Sequence, residues 1–377
     1  MRLRFLFVIT ALFSINCSIV YGSVTETPQK TADQRDYKKN PLRALCFDGG
    51  GERGLLEILA LNFIQESYLD NQNISEFADV FCGTSTGSIL AAGLALGLPL
   101  SQLEKIYREE GKEIFRISWA KKIESMEGVR DERYDYTILV DKLNSVVGKD
   151  KRLSEVEKGL VIISLNVTTL KPAIFTSMAA KASPEEDKKL VPCIRASAAA
   201  PTYFEGVRAD EVEICVPTTK QQKLEKQMLW DGGVIRNNGT SVLAGKIRRH
   251  FGIEALETAM VASFGTGRDP SIGFPYDPTI GLVKIAAPIS SICMDGSSNA
   301  SHAEACDLYG EGNYVRCQFT LTDKIALDSA SDDDIRKMDD LFKAHVTHEK
   351  NRRQLHRIAK MLKPDIADFE VFEKSCL

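Results

Sequence analysis

The chain has 377 residues, 44% hydrophobic and 27% charged, enough to bury a full α/β core, and no periodic repeat or low-complexity tract interrupts it. A net charge of −4 without a basic cluster speaks against a nucleic-acid binder. Nine cysteines are too sparse for a disulfide scaffold, no Cys/His spacing reads as a zinc site and no EF-hand pattern occurs, so neither metal nor cofactor is expected.

The N-terminus begins with the basic Met1-Arg2-Leu3-Arg4, continues with an apolar stretch from Phe5 to Ile15, and places small residues at the cleavage positions in Val20-Tyr21-Gly22. This reads as a secretory signal peptide over residues 1–22, because the apolar stretch falls well short of the about 20 residues of a membrane span. Asn16 before Cys17 is a poor match to a lipoprotein signal. A secreted or periplasmic location is therefore expected, and losing Arg2 and Arg4 with no acid would move the net charge from −4 to −6. Residues 23–40 are polar after Tyr21 and read as a flexible lead-in.

Arg43-Ala44-Leu45-Cys46-Phe47 reads as a short central strand running into Asp48-Gly49-Gly50-Gly51-Glu52-Arg53-Gly54. Leu55, Leu56, Leu59 and Phe63 then recur at helical spacing. A glycine loop before a helix presents backbone N–H groups to an anion. Gly49, Gly51 and Gly54 satisfy Gly-x-Gly-x-x-Gly, which in a Rossmann unit holds a pyrophosphate, but the acids nearby, Glu66 and Asp70, fall in or just after the helix rather than at the end of a second strand. The other reading is an oxyanion hole built from the amides of Gly50 and Gly51, with Arg53 steadying the loop or an anionic head group.

Phe77 to Cys82 reads as a buried strand and Ser88 to Leu96 as a small-residue helix, with Gly83-Thr84-Ser85-Thr86-Gly87 between them. Such a turn from strand to helix strains its central residue, tolerates close packing through Gly83 and Gly87, and lifts the Ser85 hydroxyl clear of the sheet. The Thr86 amide would join those of Gly50 and Gly51 around a tetrahedral intermediate. The pentapeptide alone also occurs by chance in many proteins.

A serine nucleophile needs a base. His250, His302, His345, His348 and His356 lie in polar, helix-like or loop surroundings and read as surface residues. Asp231 in Leu229-Trp230-Asp231-Gly232-Gly233 follows an apolar strand end, and partial burial would raise its basicity. An aspartate that merely satisfies an Asp-Gly turn is the competing reading. Cys46 and Cys82 read as buried thiols, and Cys293, Cys306 and Cys317 are close enough in sequence for one bridge among them. Ile280 to Ile289 reads as core or as an interfacial helix. Asp332-Asp333-Asp334 suits the first turn of a helix. Asn73, Asn166, Asn238 and Asn299 begin Asn-x-Ser/Thr sequons, of which Asn166 and Asn238 are expected to be inaccessible.

Together these segments resemble the patatin-like phospholipases, serine acyl hydrolases with a Ser–Asp dyad. The Gly-Gly-Gly-x-Arg-Gly loop, the Gly-x-Ser-x-Gly elbow and the later Asp-Gly-Gly stand in family order, and Ser164–Thr169, Arg195–Phe204, Gly232–Asn238, Ser263–Gly267, the Asn313–Arg316 strand and the acidic helix from Asp328 also look like the family. The resemblance implies Ser85 as nucleophile, Asp231 as base, Gly49, Gly50, Gly51, Arg53 and Thr86 as oxyanion loop, and Gly83, Gly87, Gly232 and Gly233 as motif glycines. Glu52 departs from the apolar residue often found before the arginine, and its charge beside the loop leaves the preferred head group open.

Strands alternating with helices through the first 270 residues also favour a three-layer α/β/α sandwich with a largely parallel central sheet, and the resemblance implies that this is the patatin-like fold, over residues 41–360 with a tail at 361–377. The resulting expectation is a secreted lipid acyl hydrolase, phospholipase A or lysophospholipase in type. Its substrate would be a membrane phospholipid or related lipid ester, met by peripheral membrane contact without a transmembrane span. A storage or lipid-binding protein with little turnover, and a dinucleotide-binding domain using the Gly49 loop, are the alternatives.

Overall fold

The computed structural model describes residues 35–114, 134–201, 203–212, 227–271, 273 and 289–375. The expected signal peptide, most of the lead-in, and residues 280–288 lie outside them. No helix among the described residues is long and apolar enough to cross a membrane.

Eight strands form one sheet: β1 (Arg43–Phe47), β2 (Val80–Thr84), β3 (Gly159–Asn166), β4 (Lys171–Thr176), β5 (Val207–Arg208), β6 (Met228–Asp231), β7 (Met260–Phe264) and β8 (Tyr314–Cys317). The strands β3, β2, β1, β7 and β8 pair in parallel in that order. Strands β4, β5 and β6 pair antiparallel. The longer helices are α1 (Leu55–Tyr68), α2 (Thr86–Ala95), α3 (Tyr136–Val147), α4 (Leu190–Ser197), α5 (Thr240–Phe251), α6 (Ile289–Asn313), α7 (Asp332–Thr347) and α8 (Glu349–Leu362).

Side chains alternate across the pleat, so each central strand feeds two cores. Leu45, Phe47, Phe81 and Phe264 pack with Leu56 and Leu61 of α1, Met338 of α7 and Ile358 of α8 on one face. Ala44, Cys46, Cys82 and Val261 pack with Leu243 and Ile247 of α5 and Ala305 of α6 on the other. Helices on both faces of a largely parallel sheet make the expected three layers.

Some boundaries moved. Strand β2 runs Val80–Thr84 rather than from Phe77, because the Asn73 side chain accepts the Ser75 amide and holds Ile74–Phe77 in a 3₁₀ turn. Helix α7 starts at Asp332 as expected, with Ser331 capping the Asp334 amide. The end of the lead-in is anchored: Arg35 pairs with Asp79 at 2.8 Å and Tyr37 is buried. Beyond residue 360 the helix Phe369–Ser375 sets Phe372 against Tyr68, ring centroids 4.6 Å apart.

Cys46 and Cys82 are buried thiols as expected, but no bridge joins Cys293, Cys306 and Cys317, which are all free. Cys317 packs on the face of α1 and Cys306 on the face of α5, with the sheet between them. Cys293 and Cys306 share α6, where their separation is about 20 Å of helical rise. Asn166 and Asn238 are buried.

Candidate active site

The glycine loop is held from below by a buried charge cluster. Asp48 follows β1 directly and takes two hydrogen bonds from Arg316 of β8, at 2.6 and 3.1 Å, with one from Asn238 at 2.9 Å and one from Ser298 at 3.2 Å. Both ion-pair partners are nearly inaccessible, so the bidentate geometry and the extra donors offset their desolvation. Next, the Gly49 amide donates to the Asn237 carbonyl at 3.2 Å, and the Gly49 carbonyl accepts from Asn237 Nδ2 and Thr266 Oγ1 at 3.2 and 2.9 Å. Gly49 is thus spent on positioning. The amides of Gly50 and Gly51 donate to no partner among the described residues. Gly51 has φ 58, and a β-carbon there would sit 2.0 Å from the Leu327 carbonyl oxygen, so no other residue keeps this backbone.

The second loop packs against the first. Ser85 follows β2 with φ 54 and ψ −125, a conformation that non-glycine residues rarely adopt, and begins α2. A β-carbon on Gly83 would lie 2.0 Å from the Gly87 carbonyl oxygen, and one on Gly87 would lie 2.4 Å from that of Phe47. The pair of glycines therefore lets the elbow close and lets it rest on the end of β1. A β-carbon on Gly49 would lie 3.1 Å from Ser85 Cβ, which measures how near the two loops come. Thr86 is fixed by Tyr107, their hydroxyls 2.6 Å apart, while its amide is one of the open donors at the N-terminus of α2.

Strand β3 brings the third segment in. One edge of β3 carries β4 from Val161 to Asn166; the other carries β2 as far as Thr84 opposite Ile163, then β6 from Asp231 opposite Ser164. The C-terminal ends of β2 and β6 meet head to head on neighbouring rungs, so the chain leaves the sheet at Ser85 and just after Asp231 at the same place. Asp231 is 5% exposed. Burial pushes its carboxyl up to about 6, opposed by hydrogen bonding from the Ser85 hydroxyl and the Gly233 amide. The Gly233 amide lies 2.7 Å from Oδ1, so the same carboxylate also caps its Asp-Gly turn.

Glu52 and His356 correct the sequence reading, whereas His348 is exposed as expected. The Glu52 side chain is buried against Gly111, and desolvation raises its carboxyl to about 8, which favours the neutral form at neutral pH. The sequence shows an acid but not the side to which it turns. His356 is buried rather than on the surface, because the helix Phe369–Ser375 covers it: its Nε2 lies 2.8 Å from the Ala367 carbonyl oxygen and Phe369 packs on its ring. His302 meets the Tyr314 hydroxyl at 3.1 Å and His345 lies beside Asn351. No histidine hydrogen-bonds to Ser85 or Asp231 among the described residues. Arg53 donates weakly to the Gly267 carbonyl at 3.4 Å and lines a cleft with Gly49, Asn237, Thr266, Met294 and Asp295; its Nε has no partner among the described residues.

Sequence reasoning gathered Ser85, Asp231 and the loop glycines but gave no role to Arg316, Asn237, Thr266 or Ser197. Each lies in a segment that resembles the family, which was the available signal.

The family model for patatin-like phospholipase matches residues 45–244, a span that includes all three glycine-marked segments. Patatin-like protein 1 of Oryza sativa subsp. indica is 28% identical over 355 residues, covering 84% of this chain and 82% of that protein. A cGAMP-activated phospholipase of Vibrio cholerae is 31% identical over 183 residues, 45% of this chain and 51% of that one. Among solved structures, human GIVD cytosolic phospholipase A2 aligns with a TM-score of 0.42 at 13% identity, covering 88% of this chain and 62% of that one.

Proposed function

The chain belongs to the patatin-like phospholipase family, and from that premise we propose that it hydrolyses lipid acyl esters through Ser85 and Asp231. Membership makes it a lipid ester hydrolase. The observation that carries the dyad is the meeting of β2 and β6 on neighbouring rungs of β3, which sets a strained serine against a buried carboxylate.

Asp231 accepts the Ser85 proton as Oγ bonds to the ester carbonyl carbon. The carbonyl oxygen takes the negative charge within reach of the Gly50, Gly51 and Thr86 amides. Collapse of that intermediate breaks the ester bond, and the leaving alcohol takes the proton back from Asp231. Water then attacks the acyl-serine and gives a proton to Asp231; the bond between Ser85 Oγ and the acyl carbon breaks, Oγ takes that proton back, and the fatty acid leaves. A carboxyl near 6 is largely ionised at neutral pH and more basic than an exposed one, which suits both halves of this cycle.

Phospholipid is the substrate class that the family supports, met at a membrane surface. Export is proposed from the signal-like residues 1–22, and N-terminal sequencing of the protein from its native source tests it: an intact Met1 would refute cleavage. For the activity itself, a fluorophosphonate probe should label the purified protein on the peptide containing Ser85. Absence of labelling in a protein that hydrolyses phospholipid vesicles would overturn the dyad.

A further inference from the structure

The head-to-head meeting of β2 and β6 opens a gap in the sheet, and one side chain fills it. Ser197, the last residue of α4, is fully buried. Its hydroxyl accepts from the Ser85 amide at 2.9 Å and donates to the Ile163 carbonyl at 2.6 Å. Its own carbonyl accepts from the Gly232 amide at 3.3 Å, and two residues on, the Ala199 carbonyl accepts from the Asp231 amide at 2.9 Å. Ser164, the rung opposite Asp231, donates to Ala196 and Trp230 carbonyls at 3.1 and 2.8 Å. The amides of Ser85, Asp231 and Gly232 and the carbonyl of Ile163 are thereby held by the end of α4 and the residues just after it.

From this geometry we propose that Ser197 is the positioning residue of the site. It touches neither substrate nor the reacting atoms, but its hydroxyl ties the backbone of the nucleophile to β3 while its carbonyl ties the turn after Asp231 to the same point. A buried serine here is selected by two needs at once. It must accept from one amide and donate to one carbonyl, which a hydroxyl does and a methyl does not. It must also sit wholly out of solvent, which a small side chain with both polar functions satisfied does at little cost. Without the hydroxyl, the elbow keeps its strained φ with one fewer restraint, and Ser85 can drift from Asp231.

This inference rests on the dyad reading, and one set of variants separates the two. In Ser197→Ala the hydrolysis kcat should fall by about 10²-fold with KM unchanged, as expected when a nucleophile is misplaced by about 1 Å. Covalent labelling of Ser85 by the fluorophosphonate probe should slow by a similar factor. The acid limb of the pH–rate profile should also move to higher pH, because Asp231 loses the hydrogen bond from Ser85 that lowers it. Ser197→Cys, similar in size but a weak donor, should fall between Ala and wild type in kcat and in limb position. All rates are normalised to folded protein by circular dichroism. Lower thermal stability with wild-type kcat and an unmoved limb in either variant would overturn the proposal, since that is what a merely structural serine would do. Ser85→Ala serves as the control: if it stays active the dyad itself fails, and if it is dead while Ser197→Ala and Ser197→Cys behave as wild type, only the role of Ser197 fails.

Discussion

Thr84 and Asp231 occupy successive rungs of one edge of β3, opposite Ile163 and Ser164. The contact between Ser85 and Asp231 is therefore set by backbone ladders rather than by flexible side chains, which is the arrangement that holds catalytic groups most closely. Ser85 has two separable features: its hydroxyl, the proposed nucleophile, and its strained backbone.

Ser85→Gly separates these roles. It should abolish hydrolysis and probe labelling, since the nucleophile is gone. It should also stabilise the fold by about 1 kcal/mol, because glycine adopts φ 54 without the strain a β-carbon brings. Ser85→Ala should be equally inactive but gain no stability. Thermal denaturation of the two variants checks the difference; equal midpoints would show that no strain is stored at the elbow.

Asp231→Asn should reduce kcat nearly as far as Ser85→Ala, since an amide does not accept the serine proton. By contrast, His302→Ala and His345→Ala should keep kcat per folded molecule close to wild type. His356→Ala should lower the melting temperature, as its buried ring packs against Tyr68 and Phe369, again without a catalytic loss. A histidine variant as inactive as Ser85→Ala would replace the dyad with a triad.

The pH–rate profile should carry the signature of the base. Asp231 works ionised, and burial has raised it to about 6, so kcat/KM should climb through that pH and level off above it. At pH 5 the rate should be roughly a tenth of the plateau. An acid limb near 4, the range of an exposed carboxyl, would mean that Asp231 is not the group being titrated.

Much of this site was legible because short motifs carry local geometry. The Arg43–Phe47 strand was read with its observed bounds, and Ser85 was placed on its turn because glycines flank it at fixed spacing. Less could be read where the partner is distant. Nothing local in Asp48 announces Arg316, 268 positions away, because the pairing is made by β1 and β8 lying on either side of β7. Glu52 and His356 were misjudged for the same reason: residue type gives polarity, whereas burial is decided by elements that arrive later in the chain. Ser197 was noticed only as part of a familiar segment, since its value lies in two main-chain groups from other strands.

That distant ion pair should be costly to break. Arg316→Met leaves Asp48 buried with Asn238 and Ser298 but no cation, so stability should drop by about 3–5 kcal/mol. Arg316→Lys should recover only part of this, because an ammonium does not reproduce the two-pronged contact. Chemical denaturation measures both. A loss below about 1 kcal/mol in Arg316→Met would mean that the loop is anchored by its neutral hydrogen bonds alone.

Glu52 should reveal itself through the pH dependence of stability. Its folded carboxyl is raised from 4.5 to about 8 by burial, so the folded chain keeps the proton over a range in which the unfolded chain loses it. The neutral carboxyl's contribution is therefore fully present below about 4.5, declines as pH rises from there to about 8, and is flat above. Glu52→Gln ionises in neither state and lacks that slope. Between pH 5 and pH 8 the variant should accordingly gain on wild type by on the order of 3 kcal/mol, read from denaturant midpoints at each pH. Other titrating groups contribute to both curves and cancel in the difference. Parallel curves for the two proteins would place the Glu52 carboxyl in water rather than against Gly111.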